Sequence, residues 1–196
     1  MFHAPRWSLA LVAIPTLAVA GAAIALVVIA TGGGGSSSAR ATPSASAAAL
    51  TAFTTALRAP TAQGGQVVQQ EMKPSIGEFG SGQLDGPTLV NRARSWKIAF
   101  ARVRDRVDAI PVPSGLQPAR QLFDTAIAGY AHVADLLLQA GASAPDSRAG
   151  LLAAAVAAGR HADAVYDQAA ALVQAALRAA GLAPDHNLPD PTPTPR

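Results

Sequence analysis

Hydrophobic and polar positions along this chain follow a helical period almost from end to end. The clearest stretch is "PTLVNRARSWKIAFARVRDRVDAIPVP", where Leu89, Ala93, Trp96, Phe100, Val103, Val107 and Ile110 recur at alternating spacings of four and three. That spacing is the apolar seam of a helix packed along a bundle. Arg92, Arg94, Arg102, Arg104, Asp105, Arg106 and Asp108 fall off the seam, and the following "PVP" ends the helix near Ile110. A second helix is expected in "SGLQPARQLFDTAIAGYAHVADLLLQAG", with Ser114 as N-cap and Gly141 as stop. Its apolar face is Leu116, Phe123, Ile127, Tyr130, Val133 or Ala134, and Leu137.

A third begins in "APDSRAGLLAAAVAAGRHADAVYDQAAALVQAALRAAGL", capped by Asp146 or Ser147 and stopped by Gly181. Its expected stripe is Leu151, Leu152, Ala155, Ala158, Ala162, Val165, Ala169, Leu172 and Ala176. Upstream, the positions Leu50, Phe53, Leu57, Val68, Met72, Ile76 and Phe79 read as one helix interrupted near Pro60 and Gly64-Gly65, with Pro74 kinking or ending it. No stretch alternates with period two, so the expectation is an all-α protein whose domain, residues 47–182, is an antiparallel four-helix bundle.

The flanks differ from this domain. Residues 1–6 read as a short cytoplasmic start. Residues 7–30 carry no charge and contain eleven Leu, Ile or Val, close to the ~20 residues that cross ~30 Å of hydrocarbon. They predict a single transmembrane helix whose partner is the lipid bilayer. Arg6 before the span and no cation after it until Arg40 place the N-terminus in the cytoplasm and the bundle outside it. An Ala18-x-Ala20 pattern leaves open the alternative of secretion after cleavage near Ala20. Residues 31–46, nearly all Gly, Ser, Ala, Thr and Pro, predict a flexible tether with a reach of roughly 20–25 Å. Residues 183–196, "APDHNLPDPTPTPR", predict an extended, disordered, solvated tail.

Charge and chemistry narrow the picture further. Residues 41–196 hold 13 Arg and Lys against 12 Asp and Glu, so the domain is nearly neutral and nucleic acid is not an expected partner. With no cysteine, a disulfide framework and a thiolate metal site are excluded. Asp124, His132 and Asp135 share one helix, and His161, Asp163 and Asp167 cluster on another. Convergence of the two sets is the alternative reading, a helical metal-handling or enzymatic domain, although bundle metal sites usually carry Glu-x-x-His, which is absent here. Arg104–Asp108 and Arg120–Asp124 are spaced as surface i, i+4 ion pairs. Tyr130 and Tyr166 lie on or beside apolar stripes and are expected in the core with hydrogen-bonded hydroxyls. "GQLDG" and "GGGG" lack the Lys and Ser/Thr of a phosphate loop. No catalytic, cofactor-binding or metal-binding residue is assigned, and no cofactor is expected.

Arg outnumbers Lys 13 to 2. With the anchor, the tether and alanine-rich segments such as "GRHADAVYDQAA", the chain resembles uncharacterised membrane-anchored envelope proteins of actinobacteria. The resemblance implies no activity. The expected role is a non-enzymatic, extracytoplasmic binding or structural module of the cell envelope, with an envelope protein or wall polymer as partner.

Overall fold

The computed structural model describes residues 46–188. The membrane helix expected at 7–30, the tether up to residue 45 and the tail beyond residue 188 lie outside the described residues. The described part is all helical: α1 (Ala47–Gln66), a π-helical segment (Val67–Met72), α2 (Lys73–Gly80), α3 (Gly86–Asp108), α4 (Gln117–Ala142) and α5 (Pro145–Ala179).

Neighbouring pairs fix the helix directions. Glu71 meets Trp96 while Ser75 and Glu78 meet Arg92, so the first helical stretch runs antiparallel to α3. The start of α3 at Gly86 lies against the end of α4 at Gly141. Gly129 and Gly159 of the last two helices face Ala162 and Val133, so α4 and α5 are also antiparallel. These pairings give an up-down-up-down four-helix bundle, as the pattern predicts. All seven expected seam residues of α3 are buried, with Trp96 and Phe100 only 1% exposed.

Several local expectations are corrected. Neither Pro60 nor Gly64-Gly65 interrupts the first helix; Pro60 sits buried inside α1. The irregularity comes later, just before Pro74. There the Lys73 N–H bonds to the Val68 carbonyl, five residues back. Widening to π geometry at this point accommodates the missing donor and bulky ring of Pro74 without ending the helix. It also aims Glu71 at the buried Trp96, whose indole N–H donates to the Glu71 carboxylate at 2.8 Å.

Gly141 is not a helix stop, because α4 continues to Ala142. Its value is close approach: a Cβ there would lie 2.8 Å from the Gly86 carbonyl and 2.9 Å from Val90. Leu116, not Ser114, precedes α4, and Ala144, not Asp146 or Ser147, precedes α5. Gly181 does stop α5. It takes φ +70° while Leu182 N–H bonds the Leu177 carbonyl and Gly181 N–H that of Arg178, the paired bonds of a Schellman ending. The stripe of α5 turns after Ala169, burying Ala170, Val173, Gln174 and Leu177 and leaving Leu172 exposed.

Arg120 is the largest departure from a surface reading. It is buried, its guanidinium donating to the Val107 carbonyl, to Asp108 and to Asp124. It therefore ties α4 to the C-terminal end of α3, where a cation complements the free carbonyls. Residues 183–188 are not wholly solvated either. Asp185 and Leu188 are buried against the bundle.

Candidate functional site

Along α1, from Arg58 to Gln66, the sequence "RAPTAQGGQ" holds few bulky side chains. Opposite it, α3, α4 and α5 present their largest ones. The mismatch leaves a cleft of about 550 Å³ inside the bundle. Pro60, Gly64 and Gly65 border it from α1, Phe100 and Val107 from α3, Phe123 and Ile127 from α4, and Tyr166 and Asp167 from α5. A Cβ added at Gly65 would meet nothing within 4 Å, which marks open space on that side.

Two ring pairs border the cleft. Phe100 stacks on Tyr130, centroids 5.7 Å apart and planes at 16°, and Phe123 meets Tyr166 edge-on at 5.5 Å. Both arrangements are the favoured ones for rings with negative faces and positive edges. The Tyr130 hydroxyl donates to Asp163 at 2.6 Å. Burial first, and then the bond to the Asp163 carboxylate, pushes the Tyr130 phenol well above its ordinary range, so it stays protonated as a donor. Tyr166 is also raised, chiefly by burial, with Thr61 acting in the opposite sense. The expectation of core tyrosines with hydrogen-bonded hydroxyls holds for Tyr130.

Charge at the cleft is unevenly balanced. Asp163 has Lys73 at 3.7 Å. Asp167 is exposed, and its carboxyl is raised by desolvation and by repulsion from Asp163. Among the described residues no cation forms an ion pair with it. Arg58, the cation on the opposite border, is held by Asp185 at 3.2 Å. Burial opposes the Asp185 charge, but bonds from Asn187 and the Arg58 guanidinium outweigh it and lower the pKa.

The histidine constellation is not assembled in this way. His132 and His161 are both exposed. Asp124 is engaged by Arg120, Asp135 by Lys97 at 2.5 Å, and Asp163 by Tyr130 and Lys73. Among the described residues no group of three or more His, Asp or Glu is placed to hold a metal ion. The Arg104–Asp108 pair forms at 3.9 Å on the surface, as its spacing predicts. Sequence reasoning misses the cleft, although the run of small residues in α1 facing an aromatic seam is its signature. Comparison of the chain with family models, curated proteins and solved structures finds no match.

Proposed function

We propose that the chain is a non-enzymatic binding module of the cell envelope, attached to the membrane through residues 7–30 with its bundle outside the cytoplasm, and that the interhelical cleft is where it takes a ligand. The observation that carries the reading is the cleft itself. A bundle with this much buried apolar surface normally packs without gaps wider than a water molecule. Here a volume in the ordinary range for small-molecule sites, roughly 300–1,000 Å³, is bordered by the half-buried Tyr130 and Tyr166 rings and a few polar groups.

The polar groups suit holding rather than turnover. Tyr130 stays neutral and already donates to Asp163, and the Thr61 hydroxyl is spent on the Leu57 carbonyl at 2.8 Å. Neither is an activated nucleophile. Among the described residues no helix is long and apolar enough to cross a membrane, so attachment rests on the uncharged stretch at 7–30.

Ligand-observed NMR on the full chain in detergent, using a library of small-molecule fragments, tests the binding role. The control is Gly65→Leu, which places a side chain in the open space. Hits that disappear in Gly65→Leu support the reading; hits indifferent to it, or none, contradict it. Protease added to intact cells tests the placement: it should remove the bundle and spare an N-terminal tag. A mature N-terminus at Gly21 would refute the anchor.

A further inference from the structure

The chemistry bordering the cleft also selects among ligands, an inference that rests on the cleft being a binding site. Its walls present two half-buried rings, Tyr130 from α4 and Tyr166 from α5, each in contact with a phenylalanine, Phe100 and Phe123, that is itself buried in the core. Its charged border carries two carboxylates, Asp163 and Asp167, and one cation, Arg58. Arg58 is already neutralised by the buried Asp185, and Lys73, the other cation in reach, serves Asp163. That leaves Asp167 as an anion without a protein counterion among the described residues.

We infer that the cleft binds a small organic monocation with an apolar body, an aromatic or alkyl amine or quaternary ammonium compound, its charge beside Asp167 and Asp163 and its body against the Tyr130 and Tyr166 rings. Each part of the site contributes to this selection. A cation within about 6 Å of an aromatic ring is attracted by the ring quadrupole, most strongly where water is displaced. A carboxylate in partial desolvation regains favourable interaction when a cation arrives. Anionic ligands meet two carboxylates and an Arg58 that is already committed. A zwitterionic lipid headgroup would bring its phosphate to the same carboxylates, which favours the free cation over the headgroup.

Calorimetry on the full chain in an uncharged detergent at fixed ionic strength tests this, with benzyltrimethylammonium as probe and benzyl alcohol and benzoate as neutral and anionic controls. The expected result is one-to-one binding of the cation, about tenfold tighter than benzyl alcohol, and no binding of benzoate. Asp167→Asn should weaken the cation by about fivefold and leave benzyl alcohol unaltered. Asp167 is exposed and makes no ion pair among the described residues, so this variant should fold, which a circular dichroism melt verifies. Benzyl alcohol or benzoate binding as tightly as the cation overturns the inference and spares the cleft, as does an Asp167→Asn variant that binds the cation like the parent. Failure of all three probes to bind overturns both the inference and the cleft reading.

Discussion

Gln174 and Asp185 are bound to each other in both directions. The Gln174 side-chain amide donates to the Asp185 carbonyl at 2.8 Å, and the Asp185 backbone N–H donates to the Gln174 side-chain carbonyl at 3.1 Å. A buried side chain on α5 thus supplies the strand-like partner that the departing backbone would otherwise lack. This pair, with the Arg58–Asp185 ion pair, holds residues 183–188 on the bundle and brings Asn187 to the border of the cleft.

Gln174→Ala should therefore destabilise the protein by about 1–3 kcal/mol, because it strands the buried Asp185 N–H, while the Asp185 carbonyl keeps its bond from the Leu188 N–H. Urea unfolding followed by circular dichroism measures the loss. Hydrogen exchange should show the Asp185 amide unprotected in the variant. A change below about 0.5 kcal/mol, within the range of an ordinary surface substitution, would mean that residues 183–188 do not dock in solution.

Two glycines predict opposite outcomes of one substitution. Gly65→Ala adds a methyl to open space inside a helix and should stabilise by about 0.5–1 kcal/mol through backbone entropy alone. Gly141→Ala places the same methyl 2.8 Å from the Gly86 carbonyl and 2.9 Å from Val90. It must push α3 and α4 apart, at about 1–3 kcal/mol. Paired thermal melts decide the matter, and equal shifts of the same sign would contradict both local geometries.

At Asp167 the prediction concerns pH. Its carboxyl is raised in the folded protein, by desolvation and then by Asp163. A raised carboxyl favours the folded state most below the unfolded pKa, and this contribution is lost as pH rises through the folded pKa. At neutral pH the charge is consequently a net cost. Asp167→Asn should raise the melting temperature there by about 1–2 °C, a small value because the group is exposed and screened. The gain should shrink as pH falls through the raised folded pKa and be gone below the unfolded value of about 4, where the carboxyl is neutral in both states. An unchanged or lower melting temperature at pH 7 would show that Asp167 has a cationic partner.

The degree to which the sequence discloses the structure varies by element. In α3, large apolar residues alternate sharply with arginines, so the period alone identifies every buried seam position. In α5 alanine occupies both faces, and the contrast vanishes after Ala169, where Leu172 and Val173 exchange roles. Arg120 and Gln174 look like surface residues because their partners, the Val107 and Asp185 carbonyls, are backbone groups that no side-chain pattern announces. The proline-rich composition after residue 182 masks the docking of Asp185 and Leu188. Pro60 and Gly64-Gly65 read as a break because local propensity opposes helix there, yet packing of α1 against α3 and α5 overrides it. Their real consequence is the missing volume that becomes the cleft.

Thiol labelling reads whether the cleft is open to small cations. The chain has no cysteine, so Ile127→Cys in the cleft, Ser95→Cys on the surface and Leu57→Cys in the closed core each give a single reporter. Trimethylammonium and sulfonate methanethiosulfonates should label Ser95→Cys at similar rates and leave Leu57→Cys untouched. Ile127→Cys should react with the trimethylammonium reagent about fivefold faster than with the sulfonate, the preference expected near the uncompensated Asp167 carboxylate. An Ile127→Cys thiol as inert as that of Leu57→Cys, or one that prefers the sulfonate, would mean that the cleft is closed or does not select cations.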